Sequence, residues 1–165
     1  MEDNVLYHGS TEPVSAPLVH LGRSDLDFGP GFYLTADRSQ AERWAHTKAS
    51  RLNGGRAYLN VFHFNIEEFR KVNCSKLVFD AYDKQWLDFI AASRKGGQPW
   101  KGLDWIEGGI ANDRVITTVD LYVDGIFTIE QALDRLVSES LRHQVCIANQ
   151  DIVDIYLNFV ESIEL

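Results

Sequence analysis

Between Ala57 and Asn65 the chain reads AYLNVFHFN, where Tyr58, Asn60, Phe62 and Phe64 alternate with Leu59, Val61 and His63. Successive side chains of a strand point to opposite faces, so this strand is apolar on both. That pattern suits the middle of a sheet, and the rest of the chain must supply its neighbours and its cover. Val5–Ser10, VLYHGS, reads as a short strand ending in a glycine turn, and the two prolines of the following TEPVSAPLVH stop any helix. Phe32–Thr35, FYLT, reads as a second strand approached through Gly29, Pro30 and Gly31.

Helical periodicity takes over directly afterwards. Asp37 followed by Gln40 is a capping-box pattern, and Ala41, Trp44, Ala45 and Lys48 recur at helical spacing, which predicts a helix from about Arg38 to Ser50. A turn follows at Asn53–Gly55. Ala81–Lys95 reads as an amphipathic helix with Trp86, Phe89 and Ile90 on its buried side, ended by Gly96 and Gly97. QPWKGLDWIEGG reads as a loop carrying two tryptophans among glycines. Val115, Val119 and Tyr122 mark a short helix closed by Asp124-Gly125, and Thr128 can cap IEQALDRLVSES. The tail is expected to run as strand HQVCIAN, helical turns QDIVDIYLN, and last strand FVESIEL. Short strands interspersed with helices, without regular βαβ spacing or a phosphate-loop motif, predict an α+β fold.

At 165 residues the chain suits a single domain spanning 1–165. No apolar run approaches the roughly 20 residues that span a bilayer, and MEDNVLYHGS has neither a basic region nor an apolar signal core, so the expected setting is cytoplasmic with no membrane partner. Cys74 and Cys146 form no spaced metal or redox motif and are expected as reduced thiols; the five histidines show no ligand spacing, and no metal is expected. A net charge of −8 argues against a protein that neutralises a long phosphate backbone, although a local basic spot can hold one pyrophosphate.

Several short motifs gain meaning together. Tyr7-His8-Gly9-Ser10, then Gly31-Phe32-Tyr33, then an aromatic, Trp44, eleven residues after that tyrosine, resemble in order and setting the H-Y-E class of ADP-ribosyltransferases, which includes diphtheria toxin and the poly-ADP-ribose polymerases. The tail from Arg142 to Asn149 with the segment after it is similar to that class's late strand, short helix and final strand. Tail spacing and the block GIANDRV are also similar to an uncharacterised bacterial family associated with toxin systems.

The resemblance implies a split, two-sheet ADP-ribosyltransferase-like α+β fold with inserted helices, and NAD as substrate. Gly9 would present its backbone N–H and C=O to the nicotinamide carboxamide, and His8 would hydrogen-bond the adenosine ribose. Tyr33 and Trp44 would sandwich the nicotinamide ring, with Ser10 and Gly31 completing the cofactor-binding set. The glycine-rich turn would leave a slot one ring thick. Where the class has a serine that helps hold the carboxamide, this chain has Ala41, and Gln40 is the available substitute. Where it has a catalytic glutamate, this chain has Gln144. A glutamine offers the 2′-hydroxyl a dipole rather than a charge and cannot act as a general base. A compensating carboxylate is sought in Asp113, beside Arg114, which would face a phosphate or a substrate group; Glu139 is a further candidate.

The resulting expectation is a bacterial mono-ADP-ribosyltransferase, a toxin or effector element with a possible antitoxin partner. Its acceptor would more readily be a protein than a nucleic acid. Rival readings are a degenerate module that binds NAD or ADP-ribose without cleaving it, and a protein-interaction domain presenting Trp86, Trp100 and Trp105 as an apolar surface.

Overall fold

The computed structural model describes residues 4–22, 26–110, 113–139 and 141–165. Along the chain run β1 (Val5–Ser10), β2 (Phe32–Leu34), α1 (Arg38–Ser50), β3 (Tyr58–Phe64), α2 (Ile66–Phe69), β4 (Lys76–Val78) and α3 (Lys84–Arg94). There follow β5 (Trp105–Gly109), α4 (Asp113–Val123), α5 (Ile129–Leu136), β6 (His143–Ile147), α6 (Gln150–Tyr156) and β7 (Leu157–Glu164). The strands form two sheets, one ordered β1-β3-β7 and the other β2-β6-β5-β4. All pairings are antiparallel except β4 with β5. One bridge joins the sheets: Tyr7 and Thr35 exchange backbone hydrogen bonds of 2.8 and 3.0 Å.

The doubly apolar strand lies where its pattern demands, as β3 between β1 and β7. One core holds Leu6, Phe62 and Phe64 of the first sheet together with Phe32, Leu34, Trp105, Val145 and Ile147 of the second. Each such side chain contributes on the order of 1.5–3 kcal/mol when fully buried. The far face of the second sheet carries the other large core, in which Ile106 and Cys146 meet Trp86, Leu87 and Ile90 of α3, Val115 and Val119 of α4, and Ala132 and Leu136 of α5. The far face of the first sheet is covered by α1, whose Ala41 packs with Leu59 and Val61.

Local signals set most element ends. Asp37 caps α1 by accepting from Gln40 N at 3.1 Å. The expected capping box does not form there, because the Gln40 side chain reaches away to the His143 carbonyl instead. A full capping box appears at Thr128 and Gln131, at the start of α5. Asp83 caps α3, which starts three residues later than the pattern suggests. The stretch expected as a loop around Trp105 is in fact β5, an interior strand of the second sheet. The last strand likewise begins at Leu157, two residues earlier than expected. Trp86 is 0% and Trp105 2% exposed, so these tryptophans are core and do not make an interaction surface with Trp100.

Candidate functional site

Cross-strand partners turn their side chains to the same face of a sheet, and so do residues two apart in a strand. Tyr33 lies opposite Cys146, and Gln144 is two residues before Cys146 on β6. Tyr7 lies opposite Thr35, two residues after Tyr33, and Gly9 is two residues after Tyr7. Gly9, Tyr33 and Gln144 therefore share one face across the junction of the two sheets, the face that α1 covers on the first sheet and α3, α4 and α5 cover on the second.

Gly9 is fixed by that helix. A Cβ at this position would stand 2.1 Å from the Ala41 carbonyl oxygen and 2.8 Å from the Ala45 nitrogen. Only a glycine lets α1 approach β1 so closely. Because Tyr7 directs its N–H and C=O to β2, Gly9, two residues on, directs its own to the same edge, beyond the point where β1 and β2 are bridged. The Gly9 carbonyl is already engaged there: Lys48 Nζ of α1 donates to it at 2.9 Å. The same ammonium lies 5.6 Å from the centroid of the Trp44 ring, and Trp44 is 49% exposed.

His8 points the other way, into the space between the sheets, where its ring lies 4.5 Å from that of Phe32. Its Nδ1 donates to the Tyr33 carbonyl at 2.7 Å, which fixes the tautomer and leaves Nε2 as the acceptor of the neutral ring. Burial, reinforced by the Lys48 charge and opposed by the bond to Tyr33, depresses its pKa to about 4. His8 is thus a neutral imidazole at ordinary pH, able to accept from a hydroxyl. The Tyr33 hydroxyl donates to the Gly29 carbonyl at 2.6 Å, and burial first, then Cys146, pushes the phenol far above its ordinary range. Tyr33 can serve as a ring wall and not as a base.

The other expected binding residues are committed internally. Ser10 donates to the Glu12 carbonyl and accepts from Asn60 Nδ2 at 2.7 Å. Asn60, fully buried in β3, also donates to the His8 carbonyl at 3.2 Å and accepts from Val14 N at 2.7 Å and from the Ser162 hydroxyl. It ties β1, β3 and β7 together beneath the site, a role that an amide in a largely apolar strand could have signalled. At Gly31 a Cβ would stand 2.5 Å from Cys146 Sγ, and at Gly22 one would stand 2.4 Å from Gly31 N. Gly29 has φ +77°, and a Cβ there would meet the Trp100 ring at 2.4 Å. The glycine-rich turn is therefore closed in by Trp100, Cys146 and Gly22. It allows close packing and does not itself leave an open slot.

Ala41 is buried against β1, and Gln40 Nε2 donates to the His143 carbonyl at 3.2 Å, so Gln40 links α1 to β6 in the free protein. Asp113 opens α4, but its side chain, like Ala111 and Asn112, lies outside the described residues. Arg114 is exposed in the first turn of α4, and its carbonyl accepts from the Thr118 hydroxyl. Glu139 lines a cavity of about 260 Å3 with Asp80, Tyr82 and Leu141. A larger cavity of about 600 Å3, lined by Asp27, Arg94, Trp100 and Asp120, includes none of the expected site residues.

One carboxylate near the junction was missed from sequence. Glu107 on β5 receives His143 Nε2 at 2.7 Å and Trp105 Nε1 at 3.0 Å. Although burial alone would raise its pKa, these bonds together hold it below the ordinary carboxylate value. Glu107 lies opposite Val145, so it faces the inter-sheet side, away from Gln144. It is an anchored ion on the opposite face of the sheet from Gln144. No helix among the described residues is long and apolar enough to cross a membrane.

Residues 4–159 match the family described as "Protein of unknown function (DUF3990)", and the chain belongs to that family. Neither the curated proteins nor the solved structures give a match.

Proposed function

We propose that this family member is an NAD-dependent mono-ADP-ribosyltransferase, a cytoplasmic toxin or effector element of a bacterial system. The observation that carries the reading is the face shared by the Gly9 backbone edge, Tyr33 and Gln144, with neutral His8 beneath it and Trp44 on the flanking helix. In this reading the pyridine ring of NAD lies on Tyr33, and Trp44 closes over it, an aromatic arrangement that contributes about 0.5–1.5 kcal/mol per pair. His8 Nε2 accepts from the adenosine ribose.

The reaction breaks the bond between ribose C1′ and the pyridine nitrogen, and the bonding pair leaves with nicotinamide. Positive charge builds on the ribose, where the Gln144 amide oxygen orients the 2′-hydroxyl. An acceptor nucleophile then bonds to C1′ and releases its proton. With a dipole in place of a carboxylate, transfer is slow and chain elongation is absent. A protein acceptor suits the net charge of −8 better than a nucleic acid does.

Mass spectrometry of nicotinamide released from NAD tests this, with purified protein alone and with bacterial lysate, against Tyr33→Ala as the contamination control. Release above the control is expected, with lysate dependence marking a transferase, and Gln144→Glu should raise it by about tenfold or more. The single feature favouring a second reading is Gln144 itself: NAD binding without release, unchanged by Gln144→Glu, would make the domain a binding module. An intact fold that neither binds nor cleaves NAD would overturn both.

A further inference from the structure

A free strand edge at Gly9 offers one donor, its N–H, and one acceptor, its C=O, which together match a carboxamide. Here one lone pair of that acceptor is taken. Lys48 Nζ bonds the Gly9 carbonyl at 2.9 Å from a half-buried position. Its charge is felt at His8 on the other side of the strand. The helix that carries it lies close on the strand, since Ala41 and Ala45 abut the Gly9 backbone too closely for even a methyl group. Lys48 is one turn beyond Trp44 on that helix and keeps its ammonium 5.6 Å from the indole centroid. The edge therefore presents two donors, the Gly9 N–H and an ammonium, and a positive charge.

From this arrangement we infer that Lys48 makes the subsite prefer a carboxylate to a carboxamide, so that the acidic analogue of NAD, bearing nicotinate in place of nicotinamide, binds there more tightly than NAD itself. Two physical effects act together. An ammonium donates to a carboxylate in a charge-assisted bond, whereas a carboxamide NH2 has to share the Gly9 carbonyl with Lys48, competing for its second lone pair beside the ammonium. The pyridinium of NAD also brings an uncompensated positive charge beside Lys48, whereas the nicotinate ring carries its own negative charge and is neutral overall. Glycosidic cleavage is unaltered in its bookkeeping: C1′ loses the pyridine nitrogen, and the bonding pair departs with nicotinate.

The inference rests on the dinucleotide reading above, and calorimetry separates the two. NAD and nicotinic acid adenine dinucleotide are titrated into the wild-type protein, Lys48→Met and Lys48→Arg, with circular dichroism confirming the fold of each. The wild type should bind the acidic dinucleotide at least about tenfold more tightly than NAD, Lys48→Arg should keep the preference, and Lys48→Met should lose it. Equal affinities in the wild type, a preference for NAD, or a preference that survives Lys48→Met would overturn the inference while leaving the dinucleotide reading in place. Failure of folded wild-type protein and of Lys48→Met to bind either dinucleotide would overturn both.

Discussion

Two glycine-bearing regions flank the candidate site, and they are glycine for different reasons. At Gly9 the neighbour is the backbone of α1, the Ala41 oxygen and the Ala45 nitrogen, while the peptide edge remains turned to the junction between sheets. At Gly29 and Gly31 the neighbours include side chains, the Trp100 ring and Cys146 Sγ, which fill the space that the glycines vacate. A glycine in a sequence announces that something comes close. Whether that something is a ligand, a helix or an indole is settled by which elements pack there.

The contrast can be broken by substitution. Gly9→Ala should have the largest effect, above about 4 kcal/mol and so beyond the roughly 1–3 kcal/mol typical of overpacking, because its clash is with main-chain atoms of a helix. No side-chain truncation relieves it, so adding Ala41→Gly should restore nothing in a urea titration. Gly29→Ala should cost about 2–4 kcal/mol, combining a left-handed φ with the collision against Trp100. Here Trp100→Leu should recover part of the loss in a double-mutant cycle, leaving only the backbone component. Equal rescue in both regions would erase the distinction.

A further test sharpens the comparison through pH. His8, beside Gly9, has its pKa depressed to about 4, so between there and the unfolded value of about 6.5 the unfolded chain binds more protons than the folded one. Its contribution to stability is full above pH about 6.5 and is lost as pH falls towards 4, with a slope of at most about 1.4 kcal/mol per unit. Urea midpoints of His8→Gln should fall less over that window than those of the wild type. Asp27, in the turn region, has the opposite sign: burial outweighs Arg94 and raises its pKa, so its contribution weakens as pH rises through the carboxylate range.

Much of the scaffold was legible locally. Asp37 and Thr128 capped the helices they announced, and the doubly apolar stretch from Tyr58 to Phe64 lay in the middle of a sheet. β5 was not legible, because WIEGG ends in two glycines and has no alternation to count. Those glycines make room for neighbours distant in sequence, Phe79 and Phe28 at Gly108 and Tyr82 and Leu141 at Gly109. The strand is defined by its partners β4 and β6, and strand pairing leaves no periodic mark when both faces are filled from elsewhere.

The same division runs through the site. The sequence by itself determined the order of motifs along the chain, the residue types at Gly9, Tyr33 and Gln144, and the alternation that puts each on a given face of its strand, because these follow from the fixed two-residue period of β structure. Tertiary structure alone decided that Lys48 would reach back to the Gly9 carbonyl, that Asn60 would bind three strands beneath it, and that the glycine-rich turn would be filled by Trp100 and Cys146. Such contacts join residues dozens of positions apart. Their geometry is fixed by the packing of α1 and the two sheets, which no local spacing encodes.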